Sequence, residues 1–263
     1  MDPTIEHLLQ EGNLTAALTQ AETALAERPD DGALHFLMFE LRVLTGDFDV
    51  AQTHLDQMDG EEWVGIREHF GGILSAERKR ALMIGEGKGS PAFLMPPPPS
   101  LRLYYAALIK VHHHADPEIP QILASATPRR TGTIDGEPFL AIRDCDGLLG
   151  PVLEFFVPGA YGWLPLAQLK RIRLLPPQGY PDVIWIPAWV TLEDDQERFV
   201  RIPSLYAGSG GRSDTERLGL ETRWERPMEG LARAYGQRDL VVTDAQGQSA
   251  LRGIRQIHEI VFA

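Results

Sequence analysis

Asp144-Cys145-Asp146-Gly147-Leu148-Leu149-Gly150-Pro151-Val152-Leu153-Glu154-Phe155-Phe156-Val157-Pro158-Gly159-Ala160-Tyr161-Gly162-Trp163 separates two kinds of sequence. Asp144, Asp146 and Gly147 are turn formers, and Gly150-Pro151 breaks the backbone again. Residues 152–157 read as a strand, Pro158-Gly159 as its turn, and residues 161–164 as the strand that pairs back. Before this block apolar residues recur at helical spacing; beyond it they come in short alternating runs. The reading is an α+β chain, with a helical region over 1–130 and a β-rich α+β domain over 131–263.

Upstream, Gly12-Asn13-Leu14-x-x-Ala17-x-x-x-Ala21 recurs 34 positions later as Gly46-Asp47-Phe48-x-x-Ala51-x-x-x-Leu55. That is the tetratricopeptide period, with Ala24 and Pro29 where such a repeat places a small residue and a helix stop. The glycine ends one helix, small alanines let two helices approach, and the proline ends the second. About one and a half repeats are visible, fewer than such arrays need to stand alone, so the rest of the chain must supply packing. Helices are predicted over 3–11, 14–28, 31–45, 48–58 and 61–83, then 101–112 and 117–126, with 85–99 as a loop. The 31–45 helix is apolar on nearly every side. Such a helix is either central or turns one face to a partner, with Phe36, Met38 and Phe39 as apolar contacts and Glu40 favouring a basic ligand.

The net charge of −12 is concentrated at the start: residues 1–60 carry twelve acids against Arg28 and Arg42, a net of −10. Such a field repels nucleic acid and anionic lipid, and it suits either solubility or a basic partner. No apolar run approaches membrane-spanning length and the N-terminus lacks a basic flank, which points to the cytoplasm. The basic clusters Arg78-Lys79-Arg80, Arg129-Arg130 and Lys170-Arg171-x-Arg173 lack interleaved aromatics and read as solvated faces or partners of the chain's own acids. Cys145, the single cysteine, sits between two aspartates that disfavour its thiolate, and it reads as structural.

Strands are predicted over 172–175, 183–189, 198–202 and 240–243, with a hairpin from 133 to 142; the tail from 251 to 262 half satisfies both spacings and is assigned to neither. His112-His113-His114 cannot close on one ion, because consecutive helical residues point about 100° apart. Asp144, Asp146 and Glu154 miss the calcium-loop pattern: leucines stand where a ligand and a glycine belong. As an acid/base set they would serve a metal-dependent hydrolase; otherwise the aspartates bond turn amides and Glu154 an arginine or amides near the hairpin. No metal or cofactor motif is present, and Tyr206-Ala207-Gly208-Ser209-Gly210-Gly211 falls short of a nucleophile elbow. Gly150, before a proline, is expected to need a glycine-only backbone.

Asp144-x-Asp146-x-x-Leu149-Gly150-Pro151-x-x-Glu154, Tyr161-x-Trp163-x-Pro165, Pro176-Pro177, Asp182-x-x-Trp185-x-Pro187-Ala188, Ile202-Pro203-x-x-Tyr206 and Gly236-Gln237-Arg238 follow the tetratricopeptide-like start in order. That succession resembles the ImpE/SciE family. The resemblance implies a non-enzymatic adapter of type VI secretion systems that binds the sheath through the N-terminal helix of a TssB-type subunit.

Overall fold

The computed structural model describes residues 3–113, 118–125 and 129–263. Four helices open the chain: α1 (Pro3–Gln10), α2 (Leu14–Glu27), α3 (Gly32–Leu44) and α4 (Phe48–Asp56). Gly12 and Gly46, the repeat-related glycines, both have left-handed φ, 80° and 76°. Their N–H groups donate back to Leu9 and Val43, so each turns the chain where a side chain would be strained. Asn13 caps α2 by accepting from Ala16 N at 3.0 Å, and Asp31 caps α3 through Ala33 N and Leu34 N. Asp47, the counterpart of Asn13, makes no cap and accepts from Thr45 Oγ1 at 2.7 Å instead.

Ala17, Ala21 and Ala51 are wholly buried where the helices meet. Enlarging Ala17 or Ala51 to leucine is therefore expected to cost about 1–3 kcal/mol by overpacking. Urea unfolding midpoints equal to wild type would show that the helices have room to spare there.

Helix α5 (Val64–Glu86) follows, then α6 (Pro99–His113) and the shorter α7 (Ile119–Ser125). The histidine run falls at the end of α6, and His114 lies outside the described residues, as do Pro117 and Ala126 at the ends of the expected last helix.

The second half supplies β1 (Gly132–Ile134), β2 (Glu137–Asp144), β3 (Val152–Val157), β4 (Ala160–Pro165), β5 (Leu169–Leu174), β6 (Trp185–Leu192) and β7 (Glu197–Pro203). It also contains two short helices, α8 (Tyr180–Ile184) and α9 (Asp214–Arg217). After α9 come β8 (Thr222–Met228), β9 (Leu231–Gly236), β10 (Asp239–Asp244), β11 (Ser249–Gly253) and β12 (Glu259–Phe262). Ten of these strands form one curled antiparallel sheet in the order β11-β10-β2-β1-β12-β5-β6-β7-β3-β4, and β8 pairs with β9 alone. The predicted β3–β4 hairpin is present, with Glu154 opposite Trp163.

Two expectations need correction, and one hairpin was missed. Val183 and Ile184 belong to α8, because Pro181 and Asp182 start a helix there, and the strand begins at Trp185. The β8–β9 hairpin was not expected: β8 is exposed along most of its length and shows no apolar alternation. Gly150 does not have a left-handed φ. The constraint in that turn falls on Gly147, where a Cβ would stand 2.6 Å from Leu231 Cδ1 and 2.9 Å from Ala232 O.

Two apolar clusters hold the molecule. One fills the inner face of the curled sheet, from Ile134 to Phe262. The other runs from Ile5 in α1 through α5 and α6 to Trp163, Trp185 and Tyr206, without a break at residue 130. Trp185 lies 5.9 Å from Phe70 and 6.1 Å from Phe39 between ring centres, so the short tetratricopeptide-like array finds its missing neighbours in α5 and the sheet.

Candidate functional site

The turn after β2, the β3–β4 hairpin and α5 meet in a buried cluster of charges. Helix α5 turns Glu77 and Arg80, three residues apart, to the same inward face. Arg80 grips Glu154 with two bonds, Nε to Oε1 at 2.9 Å and Nη2 to Oε2 at 2.7 Å, and also donates to Leu205 O at 2.7 Å. Arg238 meets the same carboxylate through Nη2 and reaches Asp144 Oδ2 with Nη1 at 3.1 Å. Tyr161 O–H completes Glu154 and in turn accepts from Trp163 Nε1 at 2.7 Å. Glu77 accepts from Trp185 Nε1 at 2.9 Å, which ties the helix to β6.

The two aspartates fold the turn. Asp144 Oδ1 accepts from Asp146 N at 2.8 Å and from Tyr206 O–H at 2.7 Å. Asp146 accepts from Leu148 N at 2.7 Å and Ala234 N at 2.8 Å, so it fastens the β8–β9 hairpin to the turn. Both roles expected from sequence are therefore met, amides for the aspartates and arginine for Glu154.

Asp144, Asp146 and Glu154 are respectively 1%, 2% and 0% exposed. Burial raises the Asp144 carboxyl to about 6 despite Arg238, and lowers the Arg238 guanidinium to about 10. The Cys145 thiol is pushed up to about 11 by burial and by Asp144, in keeping with a structural cysteine. A carboxylate enclosed by two guanidiniums and a phenol can neither meet a substrate nor take its proton. What the arrangement does is clamp α5, the hairpin and the segment before β10 together. Among the described residues no set of three or more His, Cys, Asp or Glu side chains is placed to hold a metal ion.

The α3 residues considered for a partner lie mostly inside. Met38 and Phe39 belong to the main core, Glu40 is buried, and Phe36 is half-buried against Phe39, Trp63 and Phe70. A groove made of Met38, Phe39 and Glu40 would need surface that those residues do not present. The helix is apolar all round because α2, α4, α5 and Trp185 enclose it.

Burial raises the Glu40 carboxyl from 4.5 to about 8. Between those values the unfolded chain gives up a proton that the folded chain keeps, so this residue makes stability fall as pH rises. Glu40→Gln is expected to gain on wild type by about 1 kcal/mol per pH unit across that window. Parallel urea midpoints at both ends of the range would refute this.

Sequence reasoning left the Arg78-Lys79-Arg80 cluster open between a solvated face and partners of the chain's own acids; Arg80 takes the second role, with Glu154, but was not singled out as a member of the site. The signal was present, since Ala76, Met83 and Ile84 stand four before, three after and four after it, and all are buried. Arg238 was visible only as part of Gly236-Gln237-Arg238, and nothing local distinguishes it from a surface arginine.

Residues 136–258 match the ImpE protein family, and residues 8–62 match the tetratricopeptide repeat. The chain is 30% identical over 259 residues to the type VI secretion system accessory component TagJ of Pseudomonas aeruginosa, covering 96% of this chain and 89% of that protein. The crystal structure of protein VPA1032 from Vibrio parahaemolyticus superposes with a TM-score of 0.86 at 19% identity, over 99% of this chain and 97% of that one, and so shares the fold. Apart from Glu77 and Arg80 of α5, the buried centre is thus made from residues that carried the resemblance, in a chain alike along nearly all its length, and the chain belongs to the ImpE/SciE family.

Proposed function

We propose that this chain is a non-enzymatic accessory component of a type VI secretion system, working in the cytoplasm and binding the sheath through the amphipathic N-terminal helix of a TssB-type subunit. The likeness to TagJ carries the reading, because it spans the helical and sheet segments together and not the repeat alone. The enclosed centre supports it: Asp144, Asp146 and Glu154 are held by arginines, hydroxyls and amides, whereas a hydrolase would need one of them open to water. The net −10 of residues 1–60 favours a ligand whose apolar stripe is flanked by basic side chains. Of the four α3 residues considered for a partner only Phe36 remains near the surface; Met38, Phe39 and Glu40 contribute by holding the hairpins in shape.

The test is a fluorescence-anisotropy titration of a labelled TssB-type N-terminal peptide with the full chain. Saturable binding that weakens with salt is expected, since exposed charges are screened over about 8 Å at physiological ionic strength. An unchanged signal at every salt concentration would remove the reading.

A further inference from the structure

A cleft of about 390 Å3 opens between the α3–α4 turn, α5 and the loop that follows β7. Leu44, Phe48 and Leu205 give it apolar walls, and Glu77 with Arg80 forms its floor, so the cleft ends on the outer side of the buried centre. Glu77 is not fully used there. One of its oxygens receives Trp185, and the other has only a 3.4 Å contact from Arg80, near the limit for a hydrogen bond.

Small residues line the mouth: Gly46, Gly208, Gly210 and Gly211 with the partly exposed Thr45 and Ala207, and Ala81 opposite on α5. Three of those glycines have reasons within the fold. Gly46 and Gly208 have left-handed φ, and a Cβ on Gly210 would strike Thr45 at 2.7 Å. Gly211 has neither reason, for its φ is ordinary and nothing lies within 4 Å of where a Cβ would stand. A rim of small residues over an apolar pocket lets a foreign backbone come close.

Resting on the function proposed above, we infer that this cleft receives the anchor side chains of a basic amphipathic helix. An apolar side chain fills the space between Leu44, Phe48 and Leu205, and a neighbouring lysine or arginine of the ligand turns toward Glu77. Charge complementarity selects this occupant, because the α3–α4 segment that builds one wall carries Asp47, Asp49 and Asp56 beside its single Arg42, within a stretch, residues 1–60, of net −10. Size selects the mode. A helix is about 10–12 Å across with its side chains, too wide for such a space, so it lies over the glycine rim and inserts only its anchors.

The experiment repeats the anisotropy titration with Ala81→Trp and Gly211→Leu, both at exposed positions, and with Leu103→Ala on the exposed face of α6 as a control. The two rim variants are expected to weaken peptide binding at least tenfold while keeping the wild-type circular dichroism spectrum and melting temperature, and the control to bind as wild type. A benzophenone side chain placed at the neighbouring exposed Leu82, outside the cleft itself, should cross-link the bound peptide, a readout that needs no loss of affinity. If wild type binds but both rim variants bind equally well and no cross-link forms, the cleft is overturned and the adapter reading stands. If wild type itself does not bind, the adapter reading falls and takes this inference with it.

Discussion

Glu154→Ala is expected to cost about 3–5 kcal/mol of folding stability, enough to leave much of the chain unfolded at ordinary temperature. The alanine would leave the Arg80 and Arg238 guanidiniums facing each other across the space that the carboxylate occupied, both buried and neither neutralised by it. Tyr161 would lose its acceptor in the same step. Urea unfolding followed by tryptophan fluorescence reads the effect directly, since Trp163 and Trp185 border the site. Combining Glu154→Leu with Arg238→Met is expected to recover part of the loss by removing one of the stranded charges. A loss below about 1 kcal/mol for Glu154→Ala would show that water or a shifted acid replaces the carboxylate.

Residues 1–130 produced alone are expected not to form a cooperatively folded unit. The cut would remove Trp185 from Phe39 and Phe70, Trp163 from Tyr104 and Tyr105, and Glu154 from Arg80. The remaining helices would keep their local signals, the Asn13 and Asp31 caps among them, so far-ultraviolet dichroism should still show helix. Near-ultraviolet dichroism and a sharp melting transition should be lost, and a hydrophobic dye should bind. A soluble fragment with a sharp transition would mean that the helical region is a domain in its own right.

Helices were legible because each carries its own punctuation. Gly12 and Gly46, Asn13 and Asp31, and the buried alanines mark ends and contacts within a few residues of one another. The β3–β4 hairpin was legible for the same reason, through Pro158-Gly159 and its flanking apolar runs. What stayed hidden depends on distant partners. β12 completes the sheet by lying between β1 and β5, a position that no local pattern in residues 259–262 encodes. At the site, Asp144, Asp146 and Glu154 could be picked out, but their arginines are 74 to 94 positions away from them, with Arg80 and Glu154 at one extreme and Arg238 and Asp144 at the other. Phe39 and Met38 show the converse: an unusually apolar helix fits both a groove and a core, and only the arrival of Trp185 decides between them.

The segment between α5 and α6 runs beside β4, with Ala92 N donating to Tyr161 O at 2.9 Å and Trp163 N to Ala92 O at 3.0 Å. The middle of β4, one end of the ten-stranded sheet, is thereby covered, and among the described residues no strand lies beside the outer edge of β11 at the other end. Two copies that met by strand addition at this open edge would join β11 to β11. Such a contact uses the same edge on both molecules and is complete once made, so pairing there gives a closed pair, not a fibre.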